Sequence, residues 1–169
     1  MKLSYASIND LKMILEMFDE AREDLRLAGI DQWQDGYPNR DTIIQDINLK
    51  RGYLLIDDNQ ICGYCVLMFT EDPSYTKIFE GNFHNQHQYA TIHRFVIKRA
   101  LQRKHFGLKA MGAIEDLVRE HHIDTLRVDT HADNLKMQGL IKKANFLYCG
   151  IVQLEGSTAK RLAFDKIIY

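Results

Sequence analysis

Arg103, Lys104 and His105 stand directly ahead of Gly107 and a run in which Leu108, Met111, Ile114, Leu117 and Val118 recur at helical spacing. Basic side chains at a helix start are the parts of an anion site. The first N–H groups of a helix have no intrahelical partner and carry the positive end of its dipole, and Gly107 lets an anion approach the backbone closely. A second group of residues has the chemistry to move protons. His93 lies in the apolar run Tyr89–Lys98, and His131 follows Asp129 by two, so in an extended strand the latter pair share a face. A carboxylate beside an imidazole raises its pKa and selects its tautomer. Such a group suits general acid–base work near neutral pH. Each group also has a plain structural alternative: a solvated basic pair at Arg103–Lys104, a hydrogen-bonded core histidine at His93, an ion pair between Arg127 and Asp129.

The elements that must position these residues follow in order along the chain. Lys2–Ala6 reads as a strand. Ser7-Ile-Asn-Asp10 is similar to a capping box and starts a helix bearing Leu11, Ile14, Leu15, Phe18, Arg22 and Leu25 on one face and ending near Gly29. A second helix, from about Arg40 to Lys50, buries Ile43, Ile44 and Ile47. Tyr53–Ile56 and Ile61–Phe69 flank Asp57-Asp-Asn-Gln60 as a hairpin. Thr70–Gln88 is irregular and precedes the strand that carries His93. After the helix that follows Gly107 come a strand over Asp124–Thr130, a helix from Asn134 to Ala144, and strands over Phe146–Leu154 and Lys160–Ile168.

At 169 residues the chain is most simply one domain, 1–169, large enough to bury a substantial core. Its net charge of −1 gives no global attraction for nucleic acid, so an anion site has to be local. No segment has the length and apolarity to span a bilayer. Three cysteines, an odd number without a signal peptide, fit reduced thiols and a cytoplasmic location. Cys62-Gly-Tyr-Cys65 has redox or zinc spacing, with His84 and His87 further on. In a strand, however, i and i+3 project to opposite faces, there is no second such pair, and no metal is assigned.

The segment Gln102-Arg-Lys-His-Phe-Gly107-Leu108, between a strand and a helix, resembles the acetyl-CoA pyrophosphate loop of the GNAT superfamily of N-acetyltransferases. His105 stands where the first glycine is usual. The order β-α-α-β-β-β-α-β-α-β-β is the GNAT order over essentially the whole chain. Asp129-Thr-His131, Asn134, Met137 and Ala144-Asn-Phe146 look like the family's strand end, Asn-bearing helix start and closing turn, with Asn145 in place of glycine. Asn is the non-glycine residue best tolerated there in a left-handed conformation. Gln32-Trp33, Tyr37-Pro38 and His93-Arg94 resemble a group of small bacterial members whose acceptor is not assigned.

The resemblance implies an α/β (α+β) fold: a mixed, mostly antiparallel sheet of six to seven strands with helices on both faces. The strand carrying His93 and the Asp124–Thr130 strand would be parallel neighbours, splayed where the cofactor arm enters. It also implies acetyl-CoA as cofactor and direct transfer to a primary amine of a small molecule or peptide, with a non-catalytic CoA-binding or regulatory module as the alternative. Cofactor contacts fall on Phe95, Val96 and Ile97, whose backbone would hold the pantetheine arm and a developing oxyanion; on Gln102, Arg103, Lys104, His105, Phe106, Gly107 and Leu108; and on Asn134 and Met137. Many family members carry a proton-donating tyrosine seven residues after that Asn, where this chain has Ile141. Acceptor contacts fall on two loops, at Trp33 and Tyr37 and at Tyr75 and Glu80. Glu71, Asp72 and Glu80 there favour a cationic acceptor. The closing strands offer an edge through which a second copy could pair.

Overall fold

The computed structural model describes residues 1–168; the domain span read from the sequence ends on Tyr169, which lies outside the described residues. The elements are β1 (Lys2–Tyr5), α1 (Leu11–Leu27), α2 (Arg40–Asn48), β2 (Gly52–Asp57), β3 (Gln60–Met68), β4 (Ile78–Phe79), β5 (Ala90–Ile97), α3 (Phe106–Glu120), β6 (Thr125–Thr130), α4 (Leu135–Lys143), β7 (Leu147–Gln153) and β8 (Lys160–Ile167). The strand order is β1-β2-β3-β5-β6-β8-β7-β4. The count of eight corrects the expected six to seven. The added strand is β4, two residues inside the stretch that reads as irregular. Two residues carry no periodicity, and only pairing with β7 (Ile78↔Val152, Phe79↔Ile151) makes them a strand.

The chain divides into two compact units, Met1–Leu67 with Arg94–Ala113, and Met68–His93 with the chain from Ile114 onward; β5 and α3 each contribute to both. In the first unit, Asp10 reaches back to the Ser7 N–H at 2.8 Å, so the capping box forms, although it closes one 3-10 turn (Ile8–Asp10) before α1 begins. α1 buries Leu11, Ile14, Met17 and Phe18. It stops at Gly29 (φ 73), where the Ile30 N–H donates to the Leu25 carbonyl across the left-handed residue. β1, β2 and β3 are antiparallel. Asp58 and Asn59, both at positive φ, make the hairpin turn that pairs Asp57 with Gln60. α2 buries Ile43, but its other fully buried residue is Asp46, a position that apolar patterning leaves unmarked.

In the second unit the first half of β5 pairs parallel with β6 over Ala90–Ile92 and Leu126–Val128. β6–β8 and β7–β8 are antiparallel, with an irregularity between Tyr148 and Gly150. Tyr75, Phe83, Cys149, Val152 and Ala163 form a buried cluster under the loop that carries β4. Asn145 takes φ 63 after α4, the left-handed role that its resemblance to a glycine position implies. Among the described residues no helix is long and apolar enough to cross a membrane.

Candidate functional site

In the first unit the chain leaves β5 through a 3-10 turn (Arg99–Leu101) and enters α3 at Phe106. Arg103 (φ 61) and His105 (φ 63) are left-handed, so the loop curls twice within three residues. A side chain in that conformation costs about 1–2 kcal/mol relative to glycine. The first backbone bond of α3 runs from the Lys109 N–H to the His105 carbonyl at 3.1 Å, so the N–H groups of Phe106, Gly107 and Leu108 precede the helical ladder. Arg103, Lys104 and His105 are exposed, and no described residue pairs with the two cations. Gln102 instead donates back to the Ile97 carbonyl at 3.4 Å, bracing the loop against the end of β5.

The strand feeding this loop is broken in a specific way. Arg94 has φ 47 in mid-strand, and the β5–β6 ladder ends two residues earlier, at Ile92, while β5 runs on to Ile97. The left-handed arginine is held by its side chain. Its Nε lies 2.7 Å and its Nη2 2.8 Å from the Asp46 carboxylate, and Nη1 meets the Tyr37 hydroxyl. Arg51 Nε adds a second cation 2.8 Å from Asp46, which has no exposed surface. On the other side, Gly63 of β3 faces the Val96 carbonyl so closely that a Cβ would stand 2.3 Å from it. The Lys98 N–H donates to the Cys62 carbonyl at 2.8 Å. Phe95, Val96 and Ile97 are thus fixed from both sides. Neither Asp46 nor Gly63 is legible as a site residue in the sequence, because the signal is a spatial pairing that spacing along the chain does not encode.

The second unit holds His93, Asp129 and His131, the residues expected from sequence to handle protons. His93 Nε2 lies 2.5 Å from Asp72 Oδ2, with both side chains mostly buried. Burial raises the Asp72 carboxyl, but the His93 ring and the Ser74 N–H outweigh it and leave it below the usual carboxylate range. The Tyr75 hydroxyl donates to Asp129 Oδ1 at 2.8 Å, and the Tyr75 ring meets His93 edge-on at 6.2 Å. Burial pushes the Asp129 carboxyl up, against the opposing pull of His93 and the Tyr75 hydroxyl. Burial, reinforced by Asp129, pushes the Tyr75 phenol well above its ordinary value. His131 lies past the end of β6, where its Nδ1 accepts the Asp133 N–H at 3.1 Å. Arg127 is engaged elsewhere than in the ion pair with Asp129 that stands as the structural alternative. The Arg127 guanidinium is sandwiched between the Phe83 and Tyr89 rings at 3.6 and 3.7 Å and donates to the Asn85 carbonyl.

The other residues expected from sequence fall in varied places. Tyr75 is buried and Asp72 committed, so of the acidic loop Glu71 and Glu80 stay exposed. Tyr37 is partly exposed against Arg94, and Trp33 packs edge-on against Phe18 at 5.3 Å. Asn134 caps α4, its Oδ1 accepting the Met137 N–H at 3.0 Å, with Met137 half-buried on the first turn. Ile141 is fully buried. Cys62, Cys65 and Cys149 are free and buried. Burial, with Asp165 adding to it, pushes the Cys149 thiol up to about 12, which suits no nucleophile.

Residues 14–146 match the profile of the Acetyltransferase (GNAT) family. A GNAT-family acetyltransferase from Streptococcus agalactiae has a similar structure: 34% identity over 99% of this chain and 95% of that one, TM-score 0.86. The fold also recurs in a GNAT-family acetyltransferase from Listeria monocytogenes (19% identity, 98% and 94% coverage, TM-score 0.72). A ribosomal-protein-alanine N-acetyltransferase from Brucella melitensis shares it as well (16%, 99% and 100%, TM-score 0.69). No curated protein matches the chain in sequence.

Proposed function

The chain belongs to the acetyltransferase (GNAT) family, and from that premise we propose that it moves an acetyl group from acetyl-CoA directly to a primary amine of a small molecule or peptide. The observation that supports the cofactor most is the loop ahead of α3. It offers helix-terminal N–H groups and two exposed cations that no described residue pairs with, on a backbone curled left-handed at Arg103 and His105, and these fit a pyrophosphate. Gln102–Leu108 would hold the phosphates, and Phe95–Ile97, set by Arg94 and Gly63, would present backbone to the pantetheine amides. When bound, acetyl-CoA supplies the acetyl group as a thioester whose thiol, with a pKa of about 8.5, leaves without a strong proton donor. The buried Ile141 at the position of the family's tyrosine accords with that.

His93 is the base in this reading. Asp72 is held anionic, so the ring donates Nε2–H to it and keeps Nδ1 as the acceptor for the ammonium proton. Asp129, which accepts from the Tyr75 hydroxyl, lies on the neighbouring strand and completes this group of residues. His131, engaged with Asp133, is not needed for this step. The exposed Glu71 and Glu80 favour a cationic acceptor. For Asn134 the helix cap is a sufficient role. The reading takes residues 1–169 as one catalytic domain, since the matched residues 14–146 draw on both units. It places the domain in the cytoplasm, where three buried free thiols stay reduced.

The test is a calorimetric titration with acetyl-CoA followed by turnover on a panel of amines, polyamines and amino-terminal peptides. Saturable one-to-one binding with turnover of at least one amine is expected. Binding without turnover of any of them would leave only the regulatory module, and no binding would refute the loop assignment.

A further inference from the structure

His84, Cys149 and Asp165 lie far apart in sequence, His84 being 65 residues from Cys149 and 81 from Asp165. Their potential ligand atoms nevertheless fall within 4.8 Å of one another. All three belong to the second unit and to no part of the proposed transferase chemistry. Asp165 and Cys149 are buried, at 1% and 3% exposure, while the His84 side chain is 43% exposed. We propose that these three residues form a zinc site, with the imidazole, thiolate and carboxylate as ligands and a water in the fourth position.

The backbone brings them together at some cost. Cys149 is the extra residue in the β7–β8 ladder, where Tyr148 faces Phe164 and Gly150 already faces Ala163. A bulge of this kind re-aims one side chain, here inward. The loop before His84 is pressed against the same bulge. A Cβ on Gly81 would stand 2.0 Å from the Cys149 carbonyl, and one on Gly150 (φ +143) would stand 2.5 Å from the Phe79 carbonyl. The two glycines thus allow the approach, and the Asp165 Oδ2 pins its end by accepting the His84 N–H at 2.7 Å.

The spacing discriminates between chemistries. Cys149 Sγ is 3.5 Å from His84 Nδ1, and Asp165 Oδ1 is 2.8 Å from that same nitrogen. A Cys-His-Asp nucleophile needs the thiol and the carboxylate at opposite nitrogens of the ring, so that arrangement is excluded. A tetrahedral zinc with Zn–N of about 2.0 Å and Zn–S of about 2.3 Å puts those two ligand atoms about 3.5 Å apart. The nitrogen–oxygen distance has to open to about 3.3 Å, a shift that falls on the exposed His84. The donor set of one neutral nitrogen, one thiolate and one carboxylate balances the charge of Zn²⁺. Binding releases the thiol proton to solvent, and the neutral ring carries its one proton on Nε2 so that Nδ1 is free to ligate, with no redox change. The ion would clamp the β4 loop to β7 and β8.

The full chain is stripped with chelator, dialysed against zinc chloride and assayed by elemental analysis. Cobalt substitution is read in parallel through its thiolate charge-transfer absorption. One zinc per chain is expected, with a thermal midpoint that rises on loading. Cys149→Ser should remove the cobalt–thiolate band and weaken zinc by more than about 100-fold, beyond what outer ligands contribute. His84→Gln keeps the backbone N–H bond to Asp165 and replaces an exposed ring, so it stays folded and should weaken zinc comparably. A Cys62→Ser/Cys65→Ser variant should bind as the parent does. Three results would each overturn the site: no zinc on the parent protein, zinc retained in both His84→Gln and Cys149→Ser, or zinc lost with Cys62 and Cys65.

Discussion

Adding one methyl group at Gly63 should disable cofactor use from a residue that touches no cofactor. Gly63 lies in β3, and its missing Cβ would sit 2.3 Å from the Val96 carbonyl, 3.1 Å from Ile97 Cδ1 and 3.2 Å from Ile97 Cα. Ordinary contact begins near 3.4 Å, so β5 must retreat by about 1 Å. The cost has two parts. Overpacking of a tight interior contact runs to about 1–3 kcal/mol, which denaturant unfolding of Gly63→Ala reads as a lower midpoint at constant slope. The second part is functional. A displacement of about 1 Å in a positioning element costs on the order of 100-fold in rate, and the displaced segment is the one proposed to hold the pantetheine amides. The assay is kcat/KM for acetyl-CoA at fixed amine, compared with Gly139→Ala in α4. There a Cβ meets nothing within 4 Å, and helix propensity predicts a gain of about 0.5–1 kcal/mol. A Gly63→Ala protein with parental stability and parental kcat/KM would refute the reasoning, because it would show β5 free to move without consequence.

Three further outcomes are expected. Arg103→Ala should raise the Kd for acetyl-CoA by roughly tenfold or more, since a hydrogen bond to a charged group contributes about 1.5–3 kcal/mol; the loss should shrink at high salt in calorimetry. Asp46→Ala should cost about 3–5 kcal/mol in urea unfolding, because it strands Arg94 and Arg51 beside a buried, uncompensated position. Asp72 has a folded pKa below its unfolded value, so its contribution to stability is present above the unfolded pKa and is lost as pH falls through the folded one. Asp72→Asn should therefore flatten the acid side of the stability curve. It should also lower kcat, and an unchanged kcat would remove that pairing from the mechanism.

The parts of the molecule legible in its sequence are those where one strong periodic or capping signal decides the local structure. α1 stops at Gly29 as expected and buries Leu11, Ile14 and Phe18 of its expected stripe, while the Ser7–Asp10 box closes a 3-10 turn just ahead of it and Met17 joins the buried face. The hairpin turn at Asp58-Asn59 and the left-handed Asn145 follow from residue chemistry alone. β4 is invisible in the sequence because two residues cannot display a period. Asp46 is equally hidden, because a carboxylate in a short helix looks like an exposed position until Arg94 and Arg51 are known to reach it. His131 and Asp129 would share a face of an extended strand, but β6 ends at Thr130, so the alternation that aligns them stops one residue short.

The failures concentrate in one segment for a physical reason. Thr70–Gln88 has no regular backbone ladder of its own beyond β4, so its polar groups and aromatics must find partners elsewhere in its unit. Asp72 takes His93, Tyr75 takes Asp129, Phe83 stacks on Arg127, and His84 takes Asp165. Every one of those partners lies on a strand and is therefore rigidly placed, whereas the loop residues are specified only by what they meet. The segment least readable from the chain is consequently the one that assembles both the His93–Asp72 pair and the His84–Cys149–Asp165 cluster. A substitution there that leaves the strands intact should change chemistry before it changes stability.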